Sequence, residues 1–148
     1  MRSTAKTLKV LIVEDSPADL NMTLECLESL KISAYEYVES LDGMKKQLET
    51  TKFDLILLDL GLPESKGIET VVETKKALES KNLDTPIIVL TGTKDFAISK
   101  TTLKRGACDY LIKGEFGPSE LQRAISFATL TDSNPKRPTT IFGKLLRT

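Results

Sequence analysis

The chain of 148 residues has no histidine, no tryptophan and only two cysteines. Without histidine there can be no Ser-His-Asp relay, most zinc sites lose a usual ligand, and the chain cannot itself supply a phosphohistidine. Cys26 and Cys108 sit in apolar-periodic segments without CxxC spacing, so two reduced, buried thiols are expected rather than a disulfide or metal site. No stretch reaches the roughly 18 apolar residues of a membrane span. The first seven residues lack the apolar block of a secretory signal, so a cytoplasmic location is expected. No Gly-rich Walker sequence occurs. Lys+Arg and Asp+Glu balance at 21 each, which gives no electrostatic case for nucleic acid or a membrane surface. What remains, 40% hydrophobic and 28% charged residues, suits one soluble domain with a real core and a short tail.

Three apolar runs stand out, at residues 8–13, 53–58 and 86–90. Runs with so little polar alternation read as strands covered on both faces. Residues 34–38 alternate, as an edge strand with one wet side does, and residues 109–112 give a weaker strand signal. Helical periods lie between them. Ser16, Pro17 and Asp19 form a start signal, with Leu20, Leu24, Leu27 and Leu30 on one face. Ser40 opens a short helix through Leu48. A third runs from about Gly67 to Ser80, with Ile68, Val71, Val72 and Leu78 as its apolar positions. Residues 95–105 make a poorer helix, and a last one starts near Ser119 with Leu121, Ala124, Ile125 and Ala128 inward. Five β-α repeats imply an α/β fold with a parallel sheet and helices on both faces.

In such a sheet the site lies beyond the carboxyl ends of the strands, where strand order reverses. The residues just past the strands are Glu14 and Asp15, then Asp59, then Thr91 and Gly92, then Lys113. Singly, each reads as easily as a helix cap or turn residue. Together, in strand order 2-1-3-4-5, they converge on one crevice. Three clustered carboxylates raise one another's pKa, and a hard divalent cation such as Mg²⁺ relieves them, with Mn²⁺ a possible substitute. A cation and Lys113 could neutralise a transferring phosphoryl group while a carboxylate attacks, with Thr91 donating its hydroxyl.

This set resembles the receiver domain of two-component response regulators over about residues 8–130. Glu14-Asp15 is similar to that family's acidic pair, Asp59 within LLDLGLP (57–63) to its acceptor segment, Thr91 within LTG (90–92) to its switch threonine, and Lys113 within GACDYLIK (106–113) to its strand-end lysine. The resemblance implies a flavodoxin-like (βα)₅ doubly wound fold of order 2-1-3-4-5. It implies that Asp59 accepts a phosphoryl group from a histidine kinase or histidine phosphotransfer protein. Asp15, Asp59 and the Gly61 carbonyl would ligate Mg²⁺ directly, with Glu14 acting largely through water. Thr91 and Tyr110 would form a coupled switch pair, and Gly61 and Thr93 would tune phosphate lifetime. Such a domain promotes its own phosphorylation and dephosphorylation and is not a turnover enzyme. The family usually has proline after the lysine; here Gly114 follows Lys113.

Rival uses of the fold fit less well. A flavin site would place phosphate against the acidic loop 14–19, and a haloacid-dehalogenase-type phosphatase needs a second acid where Gly61 stands. The expected output is docking of a downstream protein on the face of the fourth helix, fifth strand and fifth helix, where Lys100, Lys104, Arg123 and Tyr110 are candidates. A phosphorylation-linked homodimer is a further expectation. Residues 1–7 read as a tail. Residues 131–148, turn-rich and basic with an apolar cluster at Ile141, Phe142, Leu145 and Leu146, read as a flexible extension or linker, too short to be an output domain, and direct nucleic-acid binding is not expected.

Overall fold

The apolar runs form the strands, and a helix follows each one. The computed structural model describes residues 7–65, 67–92 and 96–132. Its elements in chain order are β1 (Lys9–Val13), α1 (Pro17–Ser29), β2 (Ala34–Val38), α2 (Leu41–Thr50), β3 (Leu55–Asp59), α3 (Ile68–Glu79), β4 (Ile87–Thr91), α4 (Phe96–Lys104), β5 (Asp109–Ile112) and α5 (Pro118–Asp132). The five strands are parallel in the order β2-β1-β3-β4-β5, the expected flavodoxin-like arrangement.

Two apolar layers sandwich the sheet. Leu11, Val13, Ile56, Leu58, Ile87 and Val89 meet Met44 and Leu48 of α2 and Val71 and Leu78 of α3. On the other face Val10, Ile12, Leu55, Leu57, Ile88 and Leu90 meet Leu27 of α1 and Leu121, Ala124, Ile125 and Ala128 of α5. Alternate residues of one strand thus serve opposite layers, which is why β3 and β4 are buried at every position and read as unbroken apolar runs. Each fully buried Leu or Ile contributes about 1.5–3 kcal/mol relative to exposure.

Helix entry follows the expected caps. Ser16 Oγ accepts the Asp19 N–H at 3.3 Å, with Pro17 opening α1. Ser40 Oγ accepts the Gly43 N–H at 3.0 Å, and Glu64 Oε2 accepts the Leu41 N–H at 2.6 Å. The N-terminus of α2 therefore has two side-chain acceptors, one of which ties it to the loop after β3.

Three expectations are corrected. The inward face of α3 is Thr70, Val71, Thr74 and Leu78, with Ile68 and Val72 only half-buried. Thr74 can face the core because its hydroxyl donates to the Thr70 carbonyl at 2.8 Å. The β2 edge does not alternate cleanly, since adjacent Glu36 and Tyr37 are both exposed; an edge strand has one partner and less cover. Cys26 and Cys108 are not joined in a disulfide and are half-buried rather than buried, because they sit at the margin of the second layer.

The turn from α4 to β5 passes through Gly106 at φ 119, where an added Cβ would lie 2.9 Å from Lys75 Cε. Lys75 can swing aside, but the backbone cannot leave a conformation that L-residues rarely adopt. Gly106→Ala is expected to destabilise the fold by about 1–2 kcal/mol in urea unfolding; an unchanged midpoint would contradict this account of the turn.

Candidate functional site

Parallel register fixes where the strands end. Val13 pairs with Leu58, Asp59 with Leu90, and Thr91 with Ile112. Glu14 therefore emerges beside Asp59, Thr91 on the next strand β4, and Lys113 one strand further, after β5. The Lys113 N–H donates to the Thr91 carbonyl at 2.8 Å, extending the ladder by one residue. The Glu14 N–H similarly donates to the Val38 carbonyl at 2.9 Å. Backbone bonding thus sets the starting direction of Glu14 and Lys113 before any side-chain contact forms.

The side chains meet in an open cleft of about 520 Å³ lined by Glu14, Asp15, Asp59, Gly61, Thr91 and Lys113, among others. Lys113 Nζ lies 2.8 Å from Asp59 Oδ1, 2.9 Å from Glu14 Oε1 and 2.9 Å from Asp19 Oδ2. The contact to Asp19 is an aligned hydrogen bond. Glu14 Oε1 is buried, and its contact with the ammonium is less well aligned than that of Asp19. The other Glu14 oxygen accepts the Ser16 N–H at 3.2 Å. Asp59 Oδ1 also accepts the Gly61 N–H at 2.9 Å, so one carboxylate oxygen meets both the ammonium and the loop after β3.

The charges are unequal to one another. Two like charges 4 Å apart near a protein surface repel by about 4 kcal/mol, and here one ammonium faces several carboxylates. Burial pushes the Glu14 carboxyl up to about 7; Lys113 pulls it down and Asp59 adds to the rise. Asp15 is raised too, by burial first and then by Asp59, against a backbone hydrogen bond that lowers it. Burial alone would lower the Lys113 ammonium, but Asp59, Glu14 and Asp19 outweigh it and hold its pKa above the ordinary lysine value.

Oxygen atoms of Glu14, Asp15 and Asp59 lie within 4.8 Å of one another. With the buried Glu14 Oε1 and two carboxyls that favour a proton, this donor set fits a hard divalent cation that takes oxygen ligands. When bound, such an ion would supply positive charge to an incoming phosphoryl oxygen.

The residues named from the sequence for the phosphoryl site and its switch are brought together with two exceptions. Tyr110 lies on β5, half-buried, packed against the layer under α2 and α3 rather than lining the cleft. Thr93 lies outside the described residues. Gly114 takes φ 83, and no peptide bond among the described residues is cis; Lys113 reaches Asp59 with glycine where the family usually has proline. Asp19 was read as a helix-start residue alone, and its bond to Lys113 was missed. Its place one turn into α1, above the carboxyl end of β1, was the available signal.

The family model described as "Response regulator receiver domain" matches residues 10–126. The chain belongs to the response regulator receiver family. Receiver relatives include the KDP operon transcriptional regulatory protein KdpE of Escherichia coli K12, 35% identical over 129 residues, covering 87% of this chain and 54% of KdpE. The alkaline phosphatase synthesis regulator PhoP of Bacillus subtilis is 36% identical over 120 residues, covering 79% of this chain and 46% of PhoP. The chain spans about half the length of these curated relatives. Among solved structures, a CheY-like receiver from Methanospirillum hungatei superposes with TM-score 0.67 at 26% identity, covering 82% of this chain and 92% of its own. The receiver domain of sensor histidine kinase PA1611 of Pseudomonas aeruginosa, with a magnesium ion coordinated in its active-site cleft, gives 0.64 at 28% identity, covering 84% and 98%. This is a signalling domain of two-component systems. No helix among the described residues is long and apolar enough to cross a membrane.

The raised Glu14 value has a thermodynamic sign. An acid whose folded pKa lies above its unfolded value binds more protons in the folded state between the two, so its contribution to stability falls as pH rises from about 4.5 to about 7. Thermal unfolding in chelator should show this decline, and Glu14→Gln should flatten it. An equal slope in both proteins would contradict the assignment.

Proposed function

We propose that this receiver accepts a phosphoryl group on Asp59 in a Mg²⁺-dependent reaction and relays that state to a partner protein. The observation that carries the reading is the approach of the Lys113 ammonium to Asp59 at 2.8 Å, beside the Glu14–Asp15–Asp59 oxygen cluster. An ammonium held against the would-be nucleophile is placed to take charge from a phosphoryl oxygen as it arrives.

By membership of the receiver family the donor is a phosphohistidine on a histidine kinase or histidine phosphotransfer protein, and these 148 residues contain no histidine of their own. An Asp59 carboxylate oxygen attacks phosphorus, the phosphorus–nitrogen bond of the phosphoimidazole breaks, and the leaving imidazole keeps the electron pair and takes a proton. The product is an acyl phosphate on Asp59. Glu14, Asp15, Asp59 and the Gly61 carbonyl hold Mg²⁺, or Mn²⁺ in its place; the magnesium in the cleft of the PA1611 receiver supports that assignment. Lys113 and the Thr91 hydroxyl contact the phosphoryl oxygens, and the protein's work is positioning and charge compensation.

Thr91 is buried, at 3% exposure, at the end of β4, next to β5 with its half-buried Tyr110. Movement of the threonine toward the phosphate frees volume that the ring fills, which alters the surface of α4, β5 and α5. That surface meets a downstream protein or a second phosphorylated copy. The loose apolar pattern of α4, with Leu103 exposed at 39%, suits an element that shifts at small cost. Gly61 and Thr93 are the positions that set the lifetime of the phosphate. Residues 8–130 form the receiver unit of a cytoplasmic protein; the tail and extension expected at the two ends fall largely on residues 1–6 and 133–148, outside the described residues.

A small acyl-phosphate donor tests the acceptor. Mg²⁺-dependent incorporation of one phosphoryl group is expected, and Asp59→Asn should abolish it; full labelling of that variant would refute the assignment. Asp15→Asn should weaken Mg²⁺ binding by roughly tenfold or more, as loss of a direct anionic ligand does, measured by titration calorimetry. Affinity unchanged in that variant would remove Asp15 from the ligand set.

A further inference from the structure

We propose that Asp19 is a positioning residue for Lys113, holding the ammonium over the cleft when Glu14 and Asp59 are drawn to a cation. The proposal rests on the phosphoacceptor reading and deepens it. Lys113 Nζ has three carboxylate contacts of nearly equal length, to Asp59, Glu14 and Asp19. Two of these partners belong to the oxygen cluster that fits a divalent ion. Asp19 does not, and its contact is an aligned hydrogen bond while that of Glu14 Oε1 is less well aligned. Once a cation occupies the cluster, the carboxylates of Glu14 and Asp59 turn their charge to it. Asp19 is then the anchor that stays with the lysine.

The lysine needs an anchor. Its backbone is fixed by the N–H bond to the Thr91 carbonyl, but its side chain has four rotatable bonds, and the next residue is Gly114, at φ 83 with open space where a Cβ would stand. Asp19 itself is well placed to be rigid. It is the third residue of α1, its N–H is bonded to the Ser16 hydroxyl, and the helix begins directly beyond Glu14 and Asp15. The pair also closes the cleft on one side. Asp19 and Lys113 both line the site and the adjoining cavity of about 220 Å³ between α1 and the loop after β5. A wandering ammonium would enter that second cavity.

The competing physical effect has the opposite sign. Asp19 adds a negative charge near the path of an anionic donor, and if it served only to repel, removing it would speed phosphorylation. The Asp19 side chain is 37% exposed, so the ion pair adds little to stability and folding should survive its loss.

The test uses Asp19→Asn and Asp19→Glu in the full chain. In metal-free protein, the Lys113 ammonium should give a slowly exchanging ¹⁵N NMR signal that persists on adding Mg²⁺ and broadens away in Asp19→Asn. With an acyl-phosphate donor at saturating Mg²⁺, Asp19→Asn should label roughly tenfold more slowly, the scale of a displaced catalytic contact. Its Mg²⁺ affinity should stay within about twofold, since Asp19 lies outside the cluster. Asp19→Glu should recover part of the rate. Labelling by Asp19→Asn at or above the wild-type rate overturns the proposal, as does an ammonium signal that is unchanged in the variant. If the wild type itself takes no phosphoryl group, the acceptor reading fails, and the ammonium signal still decides the role of Asp19.

Discussion

One ammonium and several carboxylates share the carboxyl edge of the sheet, and the rest of the molecule is arranged so that they must. Parallel register delivers Glu14, Asp59 and Lys113 to the same edge of the sheet, at the ends of β1, β3 and β5, and the buried strands behind them leave no freedom to slide. A one-residue slip would move every apolar side chain to the wrong layer. The layers under α2–α3 and α1–α5 therefore hold the charges together. Holding them there has a cost, since burial and then Asp59 raise both Glu14 and Asp15 toward protonation.

That tension explains the division of labour in the site. Rigid elements supply Glu14, Asp59, Thr91 and the backbone of Lys113. Adaptable elements surround them: the open Gly92 position, Gly114 in a left-handed conformation, and a fourth helix whose Leu103 is exposed. The loop after β3 stands between these extremes, because Glu64 ties it to the start of α2 while Gly61 N–H rests on Asp59. A site that is fixed in its charges and loose at its rim can change partners on one side while keeping its chemistry on the other.

Much of this was legible from sequence because the signals are backbone rules. Unbroken apolar runs mark central parallel strands, Ser16 and Ser40 mark helix starts, and the residue after each strand marks the edge where a site forms. The family resemblance of Asp59 and Lys113 added roles that spacing alone left open. Side-chain partnerships were less legible. Hydroxyls fill inward positions of α3 and α4, where Thr74 donates to the Thr70 carbonyl and Thr102 to the Ser99 carbonyl. Hydrophobic periodicity cannot register a threonine that buries itself by bonding its own helix. Asp19 was hidden for a related reason. A carboxylate in the first turn of a helix already has a sufficient local explanation, and its partner lies 94 residues away.

The central claim is that this cleft binds a metal and a phosphoryl group together on Asp59. Titration with beryllofluoride, followed by amide NMR, tests it most directly. The account predicts that saturation requires Mg²⁺ and moves resonances at Asp59, Thr91 and Lys113, with further changes reaching β5 at Tyr110. Binding that is indifferent to Mg²⁺, or shifts that leave Asp59 and Thr91 unmoved, would contradict it.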